Sequence, residues 1–291
     1  MVLLATGVAG GLPSRKVLVA HRGASAYAPE HTLAAYRLAL DQRADFVEQD
    51  LAITRDGVLI CLHDPTLDRT TDVEQVFPTR YREVNGARRW FAADFTLDEI
   101  KRLDAGGWFA PTFAGERVPT FQEAIDLVRG KAGLFPELKA PDVYRDLGVE
   151  MATVVVAALR RNGLEGKGAD PATPLILQSF DEAALRTLAR DVPSLDRTFL
   201  LDAQGSERWL TDAGLKAVAT FATGLGPSKL LIEKDATLVS RAHAIGLTVI
   251  PYTFRSSSPG RFPSVRDEMT HFLTVAGVDG VFTDNPDLFP R

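Results

Sequence analysis

Two histidines follow directly on apolar, strand-like runs near the start of the chain. His21 follows the run 17–20, and His63 follows the run 58–62. Because α/β enzymes carry their chemistry at the ends of buried strands, both positions are candidates for an active site. The unperturbed pKa of an imidazole suits proton transfer near neutral pH. We therefore predict that His21 and His63 act as an acid–base pair, with either one as the acid.

Three carboxylates have the spacing of a metal site. Glu48 and Asp50 lie two residues apart in a strand-like run, so their side chains share one face, about 6–7 Å apart along the chain. Glu137 lies in a second such run, with Lys139 on the same face. A salt-bridge layer with Arg22 and Lys139 is the alternative, but it leaves one buried acid unpaired, which is costly without a metal. We predict one divalent cation, and oxygen ligands favour Mg²⁺ or Ca²⁺.

The cationic residues of these segments favour a phosphate-bearing substrate. The Arg22 guanidinium can contact two phosphate oxygens at once, and Lys139 supplies a point charge. We predict that both bind the phosphate. Glu30 has two interpretations. It orients His21 or Arg22 at the site, which we favour, or it stabilises the start of the following helix through the helix dipole.

Six motifs in chain order resemble the glycerophosphodiester phosphodiesterase family. That family usually opens with His-Arg-Gly and Pro-Glu-Asn-Thr, followed by Glu-x-Asp, a Thr-x-Asp-Gly turn and His-Asp. The resemblance covers the chain from about residue 17 onward, and its PYTFR form is similar to the longer bacterial, periplasmic-type subgroup. The matching segments are HRGASAYAPEHTLAAY (21–36), VEQDLAITRDGVLICLHD (47–64), FPELKAP (135–141), LQSFD (177–181), PYTFR (251–255) and GVDGVFTDNPD (277–287).

The resemblance implies hydrolysis of a glycerophosphodiester to an alcohol and sn-glycerol 3-phosphate. Gln178 and Phe180 lie in the LQSFD motif and are predicted to reach the site, with a core or structural role as the alternative for both. Tyr252 is predicted to line the substrate pocket, at a place where many members have Trp. His31 stands where the family usually has Asn, and we expect it to lie outside the chemistry.

Other polar residues near strand ends are interpreted as structural. Asp64 and Asp284 are expected to fix loops, and His243 and His271 are expected to lie away from the site. Two other functions stay open. Phospholipase D-like action on lysophospholipids would need an apolar groove for the acyl chain, and a non-catalytic glycerophosphodiester-binding protein would be expected to lack a histidine or a metal ligand. A metal-free phospholipase C-like barrel is disfavoured, because it would lack the three carboxylates.

The elements that must position these residues alternate between strand and helix, which predicts a parallel sheet with right-handed crossovers. With the resemblance, this predicts a TIM (β/α)₈ barrel with an insertion after the early strands. The sequence has nine strand-like runs, one more than an eight-stranded barrel needs. The Asp56-Gly57 turn predicts a hairpin between the runs 46–52 and 58–62, and one strand of that hairpin is expected to be an addition to the barrel. The predicted strands are 17–21, 46–52, 58–62, 133–138, 174–179, 197–201, 217–221, 247–253 and 280–283. The predicted helices are 32–43, 97–103, 120–130, 143–162, 181–191, 228–245 and 261–276.

We predict one barrel domain over 17–291, with an insertion at 65–119 and an N-terminal extension at 1–16. The insertion is rich in aromatic residues and has one short helix pattern. A long irregular excursion from a barrel is usually a lid or a substrate-binding element. Residues 1–13 faintly resemble a secretory apolar region but lack its positively charged start, so a soluble periplasmic or cytoplasmic location in a bacterium stays open.

The bulk composition excludes several classes of partner. The formal net charge is −5 and no long basic run occurs, which disfavours nucleic acid and anionic membranes. Cys61 is the single cysteine, so no intrachain disulfide is expected. No run reaches the roughly 18–20 apolar residues of a membrane helix. The expected partner is a small-molecule glycerophosphodiester, while the sequence leaves the oligomeric state open.

Overall fold

The computed structural model describes residues 16–291, so the predicted N-terminal extension lies outside the described residues except for Lys16. The predicted alternation of strands and helices is present along these residues. The strands are β1 (Val17–Ala20), β2 (Phe46–Ile53), β3 (Leu59–Cys61), β4 (Arg82–Val84), β5 (Ala87–Arg89), β6 (Gly133–Leu138), β7 (Ile176–Ser179), β8 (Asp196–Leu201), β9 (Gly224–Pro227), β10 (Thr248–Val249) and β11 (Gly280–Thr283). The helices are α1 (Leu33–Asp41), α2 (Val73–Val76), α3 (Leu97–Ile100), α4 (Phe121–Val128), α5 (Pro141–Arg145), α6 (Met151–Arg161), α7 (Glu182–Asp191), α8 (Asp212–Val218), α9 (Lys229–Lys234), α10 (Leu238–Ala244) and α11 (Val265–Thr274).

Parallel strands form the barrel in the order β10–β9–β8–β7–β6–β2–β1–β11. The amides of Phe254 and Asp279 donate to the carbonyls of Phe282 and Val249, each at 2.8 Å, and these bonds close the ring between its two ends. The predicted TIM (β/α)₈ barrel is confirmed. β3 pairs antiparallel with β2 and lies off the barrel path, so β3 is the addition in the predicted hairpin.

The predicted strand at 217–221 is wrong, because α8 covers Asp212–Val218 and the barrel strand at this point is β9. The sequence of β9 is Gly-Leu-Gly-Pro, which contains no apolar run. A Cβ on Gly226 would lie 2.5 Å from Cδ2 of Leu200 on the neighbouring strand, so any other residue would require the Leu200 side chain to move. The position of β9 depends on close packing against the neighbouring strands, and no hydrophobic pattern in the sequence predicts it.

Two predicted helices are each divided in the structure. The segment 143–162 corresponds to α5 and α6, separated by a loop in which Gly148 has a φ of +76°. The segment 228–245 corresponds to α9 and α10. Within residues 16–291, none of the helices combines the length and the apolar content that crossing a membrane requires.

The segment 65–119 is more regular than its sequence suggests, since it contains α2, α3 and the antiparallel pair β4–β5. Its apolar residues Val73, Trp90 and Phe95 are buried in the same core cluster as barrel residues. The Trp90 indole N–H donates to the carbonyl of Phe77 at 2.8 Å, which satisfies its buried polar end. The role of this segment as a lid or substrate-binding element, and the division into domains, stay predictions.

Candidate active site

The inner face of the barrel changes from apolar to polar along its strands. Alternate residues of a strand face the same side, so a polar residue two positions beyond an inward apolar residue also faces inward. Six such pairs of an apolar and a polar residue place the polar side chains at the carboxyl end of the barrel, where TIM-barrel enzymes have their active sites. The pairs are Val19 and His21, Phe46 and Glu48, Phe135 and Glu137, Ile176 and Gln178, Ile250 and Tyr252, and Phe282 and Asp284.

A cavity of about 620 Å³ lies at this end of the barrel. The predicted site residues line it with the exception of Glu30, and the residues that line it all come from outside 65–119. The structure therefore brings the predicted acid–base, metal and phosphate groups to one space. The predicted residues around the cavity are His21, Arg22, Glu48, Asp50, His63, Glu137, Lys139, Gln178, Phe180 and Tyr252.

The three predicted metal ligands are buried side by side. β2 and β6 pair in parallel with Asp50 opposite Glu137, and Glu48 precedes Asp50 by two residues. Glu48 and Asp50 are each 1% exposed, and Glu137 is 5% exposed. The Lys139 Nζ lies 3.1 Å from Oε1 of Glu137 and 3.8 Å from Oδ1 of Asp50. Lys139 and Arg22 carry two positive charges, whereas the three carboxyl groups would carry three negative charges if all of them were ionised.

Burial and mutual repulsion perturb these carboxyl groups. Burial raises the pKa of Glu48 well above its usual range, and the neighbouring Asp50 adds to the effect. Burial and Asp50 likewise raise the pKa of Glu137 to about 8. Burial also acts to raise the pKa of Asp50, but Lys139 and His31 outweigh it and lower that pKa well below its usual range. The oxygen donors and the excess negative charge fit a divalent cation such as Mg²⁺ or Ca²⁺.

The His-Arg-Gly turn places Arg22 against these carboxylates. Arg22 and Gly23 have φ values of +57° and +85°. A Cβ on Gly23 would lie 2.7 Å from the carbonyl carbon of Ala35 in α1, so glycine allows the turn to pack directly on the helix. The Arg22 amide donates to Oε2 of Glu48 at 2.6 Å, and its Nε lies 3.3 Å from Oδ2 of Asp50. Arg22 lines the cavity with its guanidinium beside Asp50.

Each predicted acid–base histidine lies against an aspartate. Nδ1 of His21 is 2.7 Å from Oδ1 of Asp284, and Nδ1 of His63 is 2.7 Å from Oδ1 of Asp64. An ionised carboxylate only accepts hydrogen bonds, so each Nδ1–H donates, and Nε2 is the nitrogen of each ring that remains for a ligand. Burial, and then Arg22, lower the pKa of His21 to about 4. The interpretation of Asp64 and Asp284 as loop-fixing residues missed these contacts, although the His63-Asp64 dipeptide was a visible signal.

Glu30 contacts Arg22 and joins it to Arg69, a residue that no sequence motif indicates. Nη1 of Arg22 donates to Oε1 of Glu30 at 2.9 Å. Arg69, from the 65–119 segment, donates to both oxygens of Glu30 at 2.7 and 2.9 Å, and its Nε donates to Oδ2 of Asp64 at 2.5 Å. Burial opposes ionisation of Glu30, but Arg69 outweighs it and lowers the pKa of Glu30 to about 2. Arg69 thus connects Arg22 to the carboxylate that holds His63.

His31 is a second residue whose position the sequence did not predict. It is 4% exposed and lies among the carboxylates, with Nε2 at 2.8 Å from Oδ2 of Asp50. Its Nδ1 lies 2.9 Å from the hydroxyl of Tyr36. Donor atoms of His31, Glu48 and Asp50 all lie within 4.8 Å of one another. His31 therefore lies against the predicted metal ligands, while the expectation that it is outside the chemistry stays a prediction.

The outer part of the cavity is aromatic. The rings of Phe180 and Tyr252 pack edge to face with centroids 5.9 Å apart, and the Tyr252 hydroxyl donates to the carbonyl of Leu201 at 3.0 Å. Lys139 Nζ lies 5.5 Å from the centre of the Phe180 ring. Gln178 is buried, and among the described residues its Oε1 has no hydrogen-bond partner. This part of the cavity therefore offers apolar surface to a ligand, while the unpaired Oε1 of Gln178 is itself buried.

Comparisons with known proteins agree on one family. The sequence profile of the glycerophosphoryl diester phosphodiesterase family matches residues 21–288. A glycerophosphodiester phosphodiesterase of Bacillus subtilis is 37% identical over 287 residues, covering 96% of this chain and 87% of the relative. The crystal structure of a glycerophosphodiester phosphodiesterase from Agrobacterium tumefaciens is similar with a TM-score of 0.69 at 29% identity, covering 94% of this chain and 98% of that one. A phosphodiesterase of Oleispira antarctica, solved with the product sn-glycerol-3-phosphate, has a TM-score of 0.73 at 27% identity, covering 93% and 94%.

Proposed function

The chain belongs to the glycerophosphoryl diester phosphodiesterase family, and on that premise we propose that it hydrolyses glycerophosphodiesters to an alcohol and sn-glycerol 3-phosphate with one divalent cation and two histidines. As a glycerophosphodiester phosphodiesterase it is a phosphoric diester hydrolase. One observation carries the proposal: a single cavity brings together the three buried carboxyl groups, the side chains of Arg22 and Lys139, and the two histidines. The product complex of the Oleispira antarctica phosphodiesterase supports the choice of product.

The cation would be held by Glu48, Asp50 and Glu137. Their burial and the raised pKa values of Glu48 and Glu137 support this assignment, because a bound cation would compensate charges that the cavity otherwise disfavours. When bound, Mg²⁺ or Ca²⁺ polarises phosphoryl oxygens and lowers the pKa of an attacking hydroxyl or water. Arg22 and Lys139 would contact the other phosphate oxygens and stabilise the charge that develops on them in the transition state.

The histidines would move the protons. One of His21 and His63 removes the proton of the nucleophile, and the other protonates the oxygen of the leaving alcohol as the phosphorus–oxygen bond breaks. Support comes from the two carboxylate contacts, which leave Nε2 of each ring to exchange a proton with a ligand. The lowered pKa of His21 keeps that ring neutral near pH 7, as a base requires.

As a hypothesis, the nucleophile is the 2-hydroxyl of the substrate's own glycerol. The reaction would then form a cyclic phosphate with loss of the alcohol, and water would open the ring. Two histidines that face one cavity suit such an exchange of roles between steps. Detection of a cyclic glycerophosphate by ³¹P NMR at early times would support it. Equal rates on a substrate that lacks the 2-hydroxyl would exclude it.

The aromatic end of the cavity would hold the alcohol part of the substrate. We propose contacts from Gln178, Phe180 and Tyr252, and we propose that segment 65–119 serves the site as a lid or substrate-binding element. The position of Gln178 in the cavity lining and the 41% exposure of Phe180 support the first proposal. The contacts of Arg69 with Glu30 and Asp64 support the second. Leu230, 54% exposed at the same cavity, supplies apolar surface that would also suit a lysophospholipid.

The test of the reaction is product analysis with glycerophosphocholine. We expect release of sn-glycerol 3-phosphate and choline, abolished by EDTA and restored by Mg²⁺ or Ca²⁺. Release of phosphocholine would contradict the proposed bond cleavage, and activity that EDTA leaves unchanged would contradict the metal. Lysophosphatidylcholine in a parallel assay decides between the two substrate classes, since preference for it would favour phospholipase D-like action.

A further inference from the structure

His31 makes two side-chain contacts in the interior of the protein. Its Nε2 lies 2.8 Å from Oδ2 of Asp50, and its Nδ1 lies 2.9 Å from the hydroxyl of Tyr36. The three side chains are buried, with exposures of 4%, 1% and 0% for His31, Asp50 and Tyr36. The imidazole therefore bridges the helix α1 and the strand β2 without reaching solvent.

The partners of the ring fix which nitrogen carries the proton. Lys139 lies nearer to Glu137, but Asp50 has both cations beside it, with Nζ of Lys139 at 3.8 Å and Nε of Arg22 at 3.3 Å. Asp50 is therefore the carboxyl group held ionised, and an ionised carboxylate can only accept. Nε2 of His31 must then be the donor to Asp50. In the neutral ring Nδ1 carries the lone pair, and the Tyr36 hydroxyl donates to it. Both nitrogens are thus engaged, and His31 has no lone pair left to bind a cation.

The two oxygens of Asp50 differ in their surroundings. Oδ2 accepts from Nε2 of His31 and faces Nε of Arg22 at 3.3 Å. Oδ1 lies toward Lys139, at 3.8 Å from its Nζ, which is beyond hydrogen-bond distance. Asp50 is therefore held by one oxygen and offers the other to a ligand in the cavity.

The backbone at His31 indicates that this placement is enforced. His31 has a φ of +55°, in the left-handed region that costs free energy for a residue with a Cβ. The ring is held there between two hydrogen-bonding partners, and the amide of His31 donates to the carbonyl of Arg22 at 3.1 Å. Residues held in such conformations cluster at functional sites.

We propose that His31 is a positioning residue for the divalent cation: it occupies Oδ2 of Asp50, and Asp50 binds the cation through Oδ1 alone. The inference rests on the proposed function, because it assumes that Glu48, Asp50 and Glu137 bind a cation. It extends that function by assigning a role to His31 and Tyr36, neither of which would contact the cation. Outer partners of this kind typically change metal affinity by about 10- to 100-fold when they are removed.

The experiment measures cation affinity directly, by isothermal titration calorimetry with Mg²⁺ and with Ca²⁺ on the EDTA-treated protein. His31→Leu introduces an apolar side chain of similar size and removes the N–H group that donates to Asp50. His31→Gln places an amide N–H near the position of Nε2, and Tyr36→Phe removes only the hydroxyl that fixes the tautomer. The matched control is His243→Leu, which removes a histidine that lies 2.8 Å from Asp279 and does not line the cavity.

We expect His31→Leu to weaken cation binding about 10- to 100-fold, with His31→Gln much closer to wild type and His243→Leu unchanged. Tyr36→Phe should weaken binding in the same direction by a smaller factor, and it tests the proposal if His31→Leu does not fold. Melting temperatures measured without cation distinguish a positioning role of His31 from a purely structural one. A purely structural role would lower the melting temperature of the variants and leave their dissociation constant for the cation unchanged.

Two results would overturn the inference in different ways. Wild-type cation affinity in folded His31→Leu or Tyr36→Phe would show that His31 does not position Asp50, while the proposed function would stand. No cation binding by the wild-type protein would remove the metal site itself, and with it both proposals.

Discussion

Nδ1 of His21 lies 2.7 Å from Oδ1 of Asp284, although 263 positions separate the two residues in the chain. They follow the ends of β1 and β11, which pair in parallel with Ala20 opposite Thr283. The other oxygen of Asp284 lies 2.9 Å from Nε of Arg255. The carboxylate is held from two sides, so it fixes both the orientation and the tautomer of His21.

Replacement of Asp284 by Asn is expected to reverse that tautomer. Arg255 would retain the amide oxygen, so the amide NH₂ group would face Nδ1 of His21 and require a lone pair there. Nε2 would then carry the proton and could no longer accept one. We expect a loss of kcat that approaches the 10²–10⁴-fold effect of losing a general base or acid, with little change in the melting temperature.

The control for Asp284→Asn is Asp279→Asn, which changes another aspartate that contacts a histidine, His243, outside the cavity. The Asp279 variant should retain wild-type kcat. Equal activity of the wild type and the Asp284 variant would contradict the assignment of His21 to proton transfer.

His21 is expected to stay neutral well below pH 6. Burial and the Arg22 charge lower its pKa to about 4, whereas Asp284 acts to raise it. In the unfolded chain the pKa of His21 has its ordinary value near 6.5. Above that pH the ring is neutral in both the folded and the unfolded state, so its titration does not change the free energy of unfolding. As pH falls from about 6.5 to 4 the unfolded state binds the proton first, and stability decreases. An NMR titration of the His21 ring should give a midpoint near 4, and a lower one in Asp284→Asn. A midpoint near 6.5 would contradict the buried, neutral ring.

Arg69 is expected to support catalysis from outside the cavity. It donates to Glu30, which holds Arg22, and to Asp64, which holds His63. Arg69→Ala releases both contacts, and small displacements of reacting groups can cost on the order of 10²-fold in rate. We expect a loss of that order in kcat/KM.

Arg69→Lys should recover only part of this activity, since lysine cannot contact both oxygens of Glu30 in a fork. The matched control is Arg89→Ala, which removes an arginine paired with Asp68 at 2.7 Å in the same segment. Equal losses in Arg69→Ala and Arg89→Ala would indicate a general effect on the segment instead of positioning.

Cation binding is expected to stabilise the fold, because it compensates the buried carboxylates in the folded state only. At a free cation concentration 100 times the dissociation constant, linkage gives about 2.7 kcal/mol of added stability. For a chain of this size that corresponds to a rise of roughly 4–5 °C in Tm. Differential scanning calorimetry with EDTA and with Mg²⁺ or Ca²⁺ measures the shift. Glu48→Gln should abolish it, and the same shift in that variant would contradict the ligand assignment.

Much of the site follows from strand periodicity in the sequence. Glu48 and Asp50 continue the inward face of Phe46, and Glu137 continues that of Phe135. A period of two therefore predicts that these acids face the barrel interior, and register places Asp50 beside Glu137. The fold was predictable for the same reason, because most strands are apolar runs with a visible beginning and end.

Other features depend on packing that has no local pattern. In β9, Gly224 packs against Thr248 and Gly226 packs against Leu200. Arg69 lies 39 positions from Glu30 in an irregular segment, so nothing in the spacing predicts their contact. His31 contacts Asp50 from a backbone with a φ of +55°, a conformation that its sequence pattern does not predict. Each of these depends on contacts between residues distant in sequence.

The most direct test of the account measures cation affinity and kcat together in four variants. Glu48→Gln and Glu137→Gln should lose cation binding, while His21→Gln and His63→Gln should bind the cation with wild-type affinity. At saturating cation, each histidine variant should hydrolyse glycerophosphocholine about 10²–10⁴-fold more slowly than wild type. Histidine variants with wild-type kcat, or carboxylate variants with wild-type affinity and activity, would contradict the proposed division of the site into metal ligands and proton-transfer groups.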